Sequence, residues 1–198
     1  VAPQRGVGTV VSAIKELPNV FLVVIAQPGN AHVQNLLQQA SSLGIQDRVK
    51  TVPYVPNAEL VHYLSSADVG LIPLHHRPNH EISLITKFGE YMQARLPILV
   101  SDVRTMAAEV RRLGNGEVFT AQVVEEFAGG ARKILIDPNK YKKVYTDEVL
   151  AERSWERQAE KLIDIYNRSK FLVLTSRSDA FGLVVTEGMY CGIPAIIA

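Results

Sequence analysis

A chain of 198 residues with 47% hydrophobic and 21% charged side chains carries enough apolar material for one complete α/β domain and part of another, in an ordinary globular balance. With 21 Lys and Arg against 20 Asp and Glu, net charge gives no reason to expect nucleic acid or an anionic membrane as a partner. The single cysteine, Cys191, excludes an intramolecular disulfide and a cysteine-rich zinc site and fits a reducing compartment, so a cytoplasmic location is expected. No apolar run reaches membrane-span length, and no charged leader opens the chain. Because it starts at Val1 without methionine and stops at Ala198 inside an apolar run, it is expected to be a fragment.

The first stretch, VAPQRG, is a Pro- and Gly-punctuated loop, and Val7, Val10, Val11 and Ile14 behind it repeat at helical spacing, which predicts a helix over 7–17. Arg5-Gly6 at that helix start suits a phosphate, because free N–H groups and the positive dipole end add to the guanidinium; a solvated arginine in a turn is the other reading. Residues 19–26, NVFLVVIA, form a continuous apolar run, the pattern of a strand buried on both faces. Pro28-Gly29-Asn30 turns the chain, with Asn30 able to cap a helix over 31–43 that stops at Gly44. A short strand over 49–52 leads into the loop Pro53-Tyr54-Val55-Pro56, and Asn57 is expected to cap a helix over 58–66.

Residues 67–102 organise the rest. An apolar run over 67–74 is followed by the polar, aperiodic loop 75–83, by helical spacing over 84–94 and by a second apolar run over 97–100. Two buried strands joined through a helix make a parallel βαβ unit, whose ligands sit outside the carboxyl ends of the strands. The loop and the first turn of its helix are therefore the expected site, and HHRPNHE, Thr86, Lys87 and Glu90 fall within it. His75, His76 and His80 fit no standard zinc spacing, so solvated histidines are expected there and no metal. Glu90 lies one turn beyond Lys87 and could simply pair with it.

A helix over 106–113 ended by Gly114-Asn115-Gly116, a strand over 117–120 and a helix over 123–136, interrupted at Gly129-Gly130, continue the alternation. Trp155, Ala159, Leu162, Ile163 and Tyr166 share one face of 141–168, which predicts one long amphipathic helix packing on the sheet and closing the domain. The pattern is a doubly wound α/β fold with a parallel sheet. The chain then repeats itself. Shifting it by 97 positions lays Glu90 on Glu187, Met92 on Met189 and Leu96-Pro97 on Ile193-Pro194. We therefore expect a domain over 1–168 and, over 169–198, an extra strand–helix–strand segment that starts a second domain or is displaced in the numbering.

These motifs, in this order, resemble the carboxyl-terminal, donor-binding half of retaining glycosyltransferases of the GT-B fold, the large family often called group 1 or family 4. PQRG looks like its PxKG turn, SSADVGLIPL like its ADV strand, HEISLITKFGEYMQARLPILVSD like its SxPxKxxEYMAxGxPVVASD signature, and SWERQAEKLIDIY like its closing helix. The resemblance implies a Rossmann-like domain that binds a nucleotide-diphosphate sugar without metal or other cofactor, in polysaccharide or glycolipid synthesis. Arg5 and Lys87 would stabilise the diphosphate, aided by Thr86, and Glu90 would accept hydrogen bonds from the ribose. Tyr54 and Val55 would meet the base, although a Pro-bounded turn with a core tyrosine explains them equally, and His80, Glu81 or Ser83 would approach the sugar. In the second copy Asp179, Phe181 and Gly182 would face a sugar and Glu187 a ribose. An acceptor glycan or lipid would be held by an amino-terminal domain, with a peripheral membrane location left open. Two positions depart from the pattern: Ile82 stands where the first acid of the family's acidic-x7-Glu motif belongs, beside Glu81, and Arg95 replaces a glycine. The rival reading is a non-catalytic α/β module used for oligomerisation, as through 169–198, or for partner binding.

Overall fold

The computed structural model describes residues 2–27, 29–174 and 183–197, in two compact units, Val1–Thr146 and Asp147–Ala198. In the first unit parallel strands alternate with helices. Strands β1 (Leu22–Ile25) and β2 (Val49–Val52) pair in the register Leu22↔Val49, and β3 (Gly70–Ile72), β4 (Ile98–Ser101) and β5 (Gly116–Phe119) form a sheet in the order β3-β4-β5, with Gly70↔Ile98 and Ile98↔Gly116. Every residue of β4 is buried, as its apolar sequence requires of a strand covered on both faces. The buried hydroxyl of Ser101 is satisfied by donating to the Leu74 carbonyl at 2.6 Å.

Helix α1 (Val7–Ile14) buries Val10, Val11, Ala13 and Ile14 and packs on α2 (Ala31–Ser42) and α7 (Val124–Ile136). Asn30 does cap α2, accepting from the Val33 N–H at 3.1 Å. Helices α3 (Asn57–Leu64), α4 (Pro78–Ile82), α5 (Thr86–Gln93), α6 (Arg104–Leu113) and α8 (Pro138–Lys142) complete the unit. Phe119 and Phe127 meet edge to face at 5.2 Å, joining β5 to α7.

Several elements differ from expectation. Asn57 is the first residue of α3 and Pro56 occupies the cap, with no side-chain hydrogen bond. The loop 75–83 contains α4, begun by Pro78 at its first position. Gly129-Gly130 does not interrupt α7, because a Cβ on Gly130 would lie 2.8 Å from Leu99 Cδ1; the glycine lets the helix approach β4 closely. The single helix expected over 141–168 is three helices: α8, α9 (Asp147–Glu152) and α10 (Trp155–Arg168). Tyr145 turns inward after α8 and donates its hydroxyl to the Leu96 carbonyl at 2.5 Å, while Ser154 caps α10 by accepting from the Arg157 N–H. Trp155, the first residue of α10, is 81% exposed, and Tyr166 near its end is buried.

In the second unit β6 (Leu172–Leu174), α11 (Leu183–Tyr190) and β7 (Ala195–Ile197) repeat β3–α5–β4 in detail. The register Leu172↔Ala195 corresponds to Gly70↔Ile98, and Leu172 N–H donates to the Pro194 carbonyl as Gly70 N–H does to Pro97. Both helices end in the same left-handed cap. Arg95 (φ 55°) and Gly192 (φ 77°) hold it, with Leu96 N–H on the Tyr91 carbonyl in one copy and Ile193 N–H on the Gly188 carbonyl in the other.

Candidate functional site

The site is built at the carboxyl end of β3. Gly6 caps α1 in a left-handed conformation (φ 71°), where a Cβ would meet the Pro73 carbonyl oxygen at 1.6 Å, so only glycine admits this contact. His75 N–H donates to the Gln4 carbonyl at 3.0 Å, stapling the turn that carries Arg5 to the chain leaving β3. Arg5 is exposed, and among the described residues its guanidinium has no hydrogen-bond or ion-pair partner.

Helix α5 buries Phe88 and Met92 completely, which turns Thr86 and Lys87 outward and leaves Glu90 half-buried. No side chain caps its first turn, so the free N–H groups and positive dipole end remain available there. Neither Lys87 nor Glu90 has a side-chain partner among the described residues, so the simple pair between them is not made. Tyr91 lies against Gly70 and donates to the Leu71 carbonyl at 3.4 Å; burial first, and the Glu90 charge in addition, push its phenol up to about 12. Tyr54 is 63% exposed, not a core tyrosine, and with half-buried Val55 lies in the loop leading to α3, which packs on α5.

The loop between β3 and α5 is internally tied. His80 is buried, and its Nδ1–H donates to the His75 carbonyl at 2.7 Å, so this ring is structural. Ser83 donates to the Asn79 carbonyl at 2.5 Å. Both carboxylate oxygens of Glu81 are taken: Oε1 accepts from His76 Nδ1 at 2.5 Å and Oε2 from the Arg104 N–H at 2.8 Å, so Glu81 caps α6 from another element. That backbone bond first, and His76 second, hold its carboxyl below the usual range. The other nitrogen of His76 donates to Asp102 Oδ1 at 3.0 Å, and Asp102 also accepts from the Ala121 N–H at 2.9 Å. Glu81 raises the imidazole's proton affinity most; Asp102 adds to this and desolvation opposes it. Asp102 joins this cluster and the sequence reading misses it, although it directly follows β4 and the carboxyl-end rule applied to β3 applies there too. In the second unit, exposed Glu187 accepts from the Tyr166 hydroxyl at 3.2 Å, while Asp179, Phe181 and Gly182 lie outside the described residues. Among the described residues no group of three or more His, Cys, Asp or Glu is arranged to hold a metal ion.

The sequence model of the family described as glycosyl transferases group 1 matches residues 1–147 and 154–198. The chain belongs to this family. Among curated relatives, D-inositol 3-phosphate glycosyltransferase of Thermomonospora curvata is 23% identical over 144 residues, which is 72% of this chain and 32% of the relative. That of Thermobifida fusca is 26% identical over 151 residues, 74% of this chain and 34% of the relative. This group 1 chain thus spans about a third of the length of the curated relatives it matches. Sucrose-phosphate synthase from Thermosynechococcus elongatus shares its fold with a TM-score of 0.72 at 22% identity, over 84% of this chain and 43% of that one. Anabaena HepE, solved in complex with UDP-glucose, does so with a TM-score of 0.68 at 19% identity, over 83% of this chain and 46% of that one. The Rossmann-like α/β half and the family implied by the motifs are those found.

Proposed function

We propose that this group 1 chain is the donor-binding half of a retaining glycosyltransferase, which moves a sugar from a nucleotide-diphosphate sugar to an acceptor glycan or lipid held by an amino-terminal domain. The observation that carries this is the pair of cations Arg5 and Lys87, with Glu90 one turn on, none of which has a side-chain partner among the described residues, around the carboxyl end of β3 and the uncapped start of α5. Such an arrangement supplies what sugar transfer asks of a donor site. Two cations and helix N–H groups, with Thr86, neutralise charge on the departing diphosphate, so no metal is needed. Glu90 offers two acceptor oxygens to a ribose diol, and the backbone of Tyr54-Val55 offers polar groups to a base. Ser83 borders the sugar, and Glu81 serves the site as a loop anchor.

UDP is the first nucleotide to test, since HepE was solved with UDP-glucose. A cytoplasmic location, free or peripheral to a membrane, is part of the proposal and rests on the single cysteine. Residues 169–198 belong to this proposal as a partial second copy of the donor unit following a domain over 1–168, supported by the shared register and cap and open to self-association. One observation favours the non-catalytic alternative: Ile82 holds the place of the first acid, and neighbouring Glu81 is fully engaged.

UDP or GDP at one hundred times its dissociation constant should stabilise the chain by about 2.7 kcal/mol, and Glu90→Ala should weaken binding by about 1–3 kcal/mol. Glu81→Ala should cost less. Melting curves unmoved by either nucleotide would sink the donor reading in favour of the module, and equal losses for both variants in calorimetry would remove Glu90 from the ribose.

A further inference from the structure

The three groups His76, Glu81 and Asp102 lie 5 and 26 residues apart yet meet in one contact: His76 Nδ1 is 2.5 Å from Glu81 Oε1 and His76 Nε2 is 3.0 Å from Asp102 Oδ1. A neutral imidazole carries one N–H and offers a lone pair at its other nitrogen. Carboxylates can only accept, so satisfying both at once requires both ring nitrogens to be protonated. The imidazolium then joins three chain segments. Glu81 carries α4, the Glu81 carbonyl accepts from Thr105 Oγ1 of α6 at 2.6 Å, and Asp102 binds the chain leaving β5 through the Ala121 N–H. At its start the same loop is bound to the Arg5 turn through His75 N–H and the Gln4 carbonyl, and at its end Ile85 opens α5, where Lys87 and Glu90 lie.

Resting on the donor reading above, we propose that doubly protonated His76 is a positioning residue, a clasp that bridges Glu81 to Asp102 and so holds the loop 75–85 in the shape that receives the donor nucleotide. His76 touches no reacting group; it acts through the loop. The charged groups around it agree in sign. Glu81 from α4 and Asp102 after β4 face the ring directly, and Glu126 of α7 adds negative charge beside Asp102. Arg104 of α6 lies at the far side of Glu81, and Arg77, His75 and His80 are the neighbouring positive or titratable groups of the loop itself. Both contacts favour the charged ring, so its proton affinity is raised, and the clasp is complete below the ordinary imidazole range and lost as pH rises through the raised value. On the acid side it lasts until Glu81, held low, takes up a proton.

The experiment measures UDP affinity of the 198-residue chain from about pH 6 to about pH 8.5 for wild type, His76→Arg and His76→Ala, beside an imidazole NMR titration of wild type and Glu81→Gln. Arginine also bridges two carboxylates but keeps its charge, so it carries the same titration of UDP itself without that of the clasp. Wild-type affinity divided by that of His76→Arg should fall about two- to fivefold across this range, the size expected for exposed ion pairs. His76→Ala should bind more weakly throughout, and His76 should titrate above 6.5 in wild type and drop back in Glu81→Gln. Parallel pH profiles for wild type and His76→Arg, or a His76 titrating at or below 6.5, overturn the proposal. Absence of UDP binding at every pH removes the donor reading and the affinity claim. The clasp itself is then decided by amide exchange of residues 75–85 in wild type relative to His76→Arg, a ratio that cancels the intrinsic base-catalysed pH dependence: it should fall as His76 gains its proton, and a ratio that does not change with pH refutes the bridge.

Discussion

Replacing Gly6 with alanine tests the junction on which the site depends. The added Cβ would start 1.6 Å from the Pro73 carbonyl oxygen, whereas ordinary contact begins at 3.4 Å, so backbone must give way by about 2 Å on one side or the other. Three costs follow: about 1–2 kcal/mol for holding a non-glycine residue at φ 71°, about 1–3 for overpacking, and about 1 for the bond from His75 N–H to the Gln4 carbonyl as the turn moves. The sum is about 3–6 kcal/mol, or a fall in Tm of roughly 6–24 °C for a chain this long. Gly89→Ala is the control, since nothing lies within 4 Å of the point on α5 where its Cβ would stand, and helix propensity there should raise stability by about 0.5–1 kcal/mol. Urea melts of both variants give the comparison, and a loss below about 1 kcal/mol for Gly6→Ala would show that the turn is not seated against β3 as described.

Two further outcomes can be measured directly. Tyr145→Phe removes the acceptor of Asn115 Nδ2, a fully buried amide whose Oδ1 already lacks a partner among the described residues, and should cost about 1–3 kcal/mol in a urea melt; an unchanged midpoint would mean that the amide finds another partner. A chain ended after Arg168 should keep its nucleotide affinity within about twofold, because the proposed donor groups all precede that point, and a tenfold loss in calorimetry would assign part of the site to 169–198.

Strand β4 is legible in the sequence because a parallel strand buried on both faces reads as an apolar run, ILVS; LVVI of β1 reads the same way, yet β1 is not buried on both faces as expected, since Leu22 and Val24 are buried while Val23 is 50% exposed. Strand ends are not legible, since pairing stops where the partner stops: 67–74 shrinks to Gly70–Ile72 opposite Ile98–Val100. Helix α4 is hidden because a five-residue helix shows no periodicity, and the break expected at Gly129-Gly130 ignores that a glycine can serve packing against Leu99. Within the site, Arg5, Lys87 and Glu90 can be found from local spacing and motif. The pairing of His76 with Asp102 cannot, because only the β3–β4 register brings together residues 26 positions apart. Likewise, nothing in the sequence marks Tyr166 as the partner of Glu187.

Arg95 bears on any attempt to stabilise this protein by copying its own repeat. Gly192 fills the equivalent left-handed position, and glycine is the residue a designer would install at φ 55° to relieve about 1–2 kcal/mol of strain. But the guanidinium also donates to the Tyr145 carbonyl at 2.7 Å, across 50 residues of sequence, a charge-assisted bond worth about 1.5–3 kcal/mol when well formed. Arg95→Gly therefore exchanges a local comfort for a distant tether, and the turn after α8 would lose its hold on the end of α5. The two copies share a backbone conformation, and in the first the strained residue also serves as a fastening.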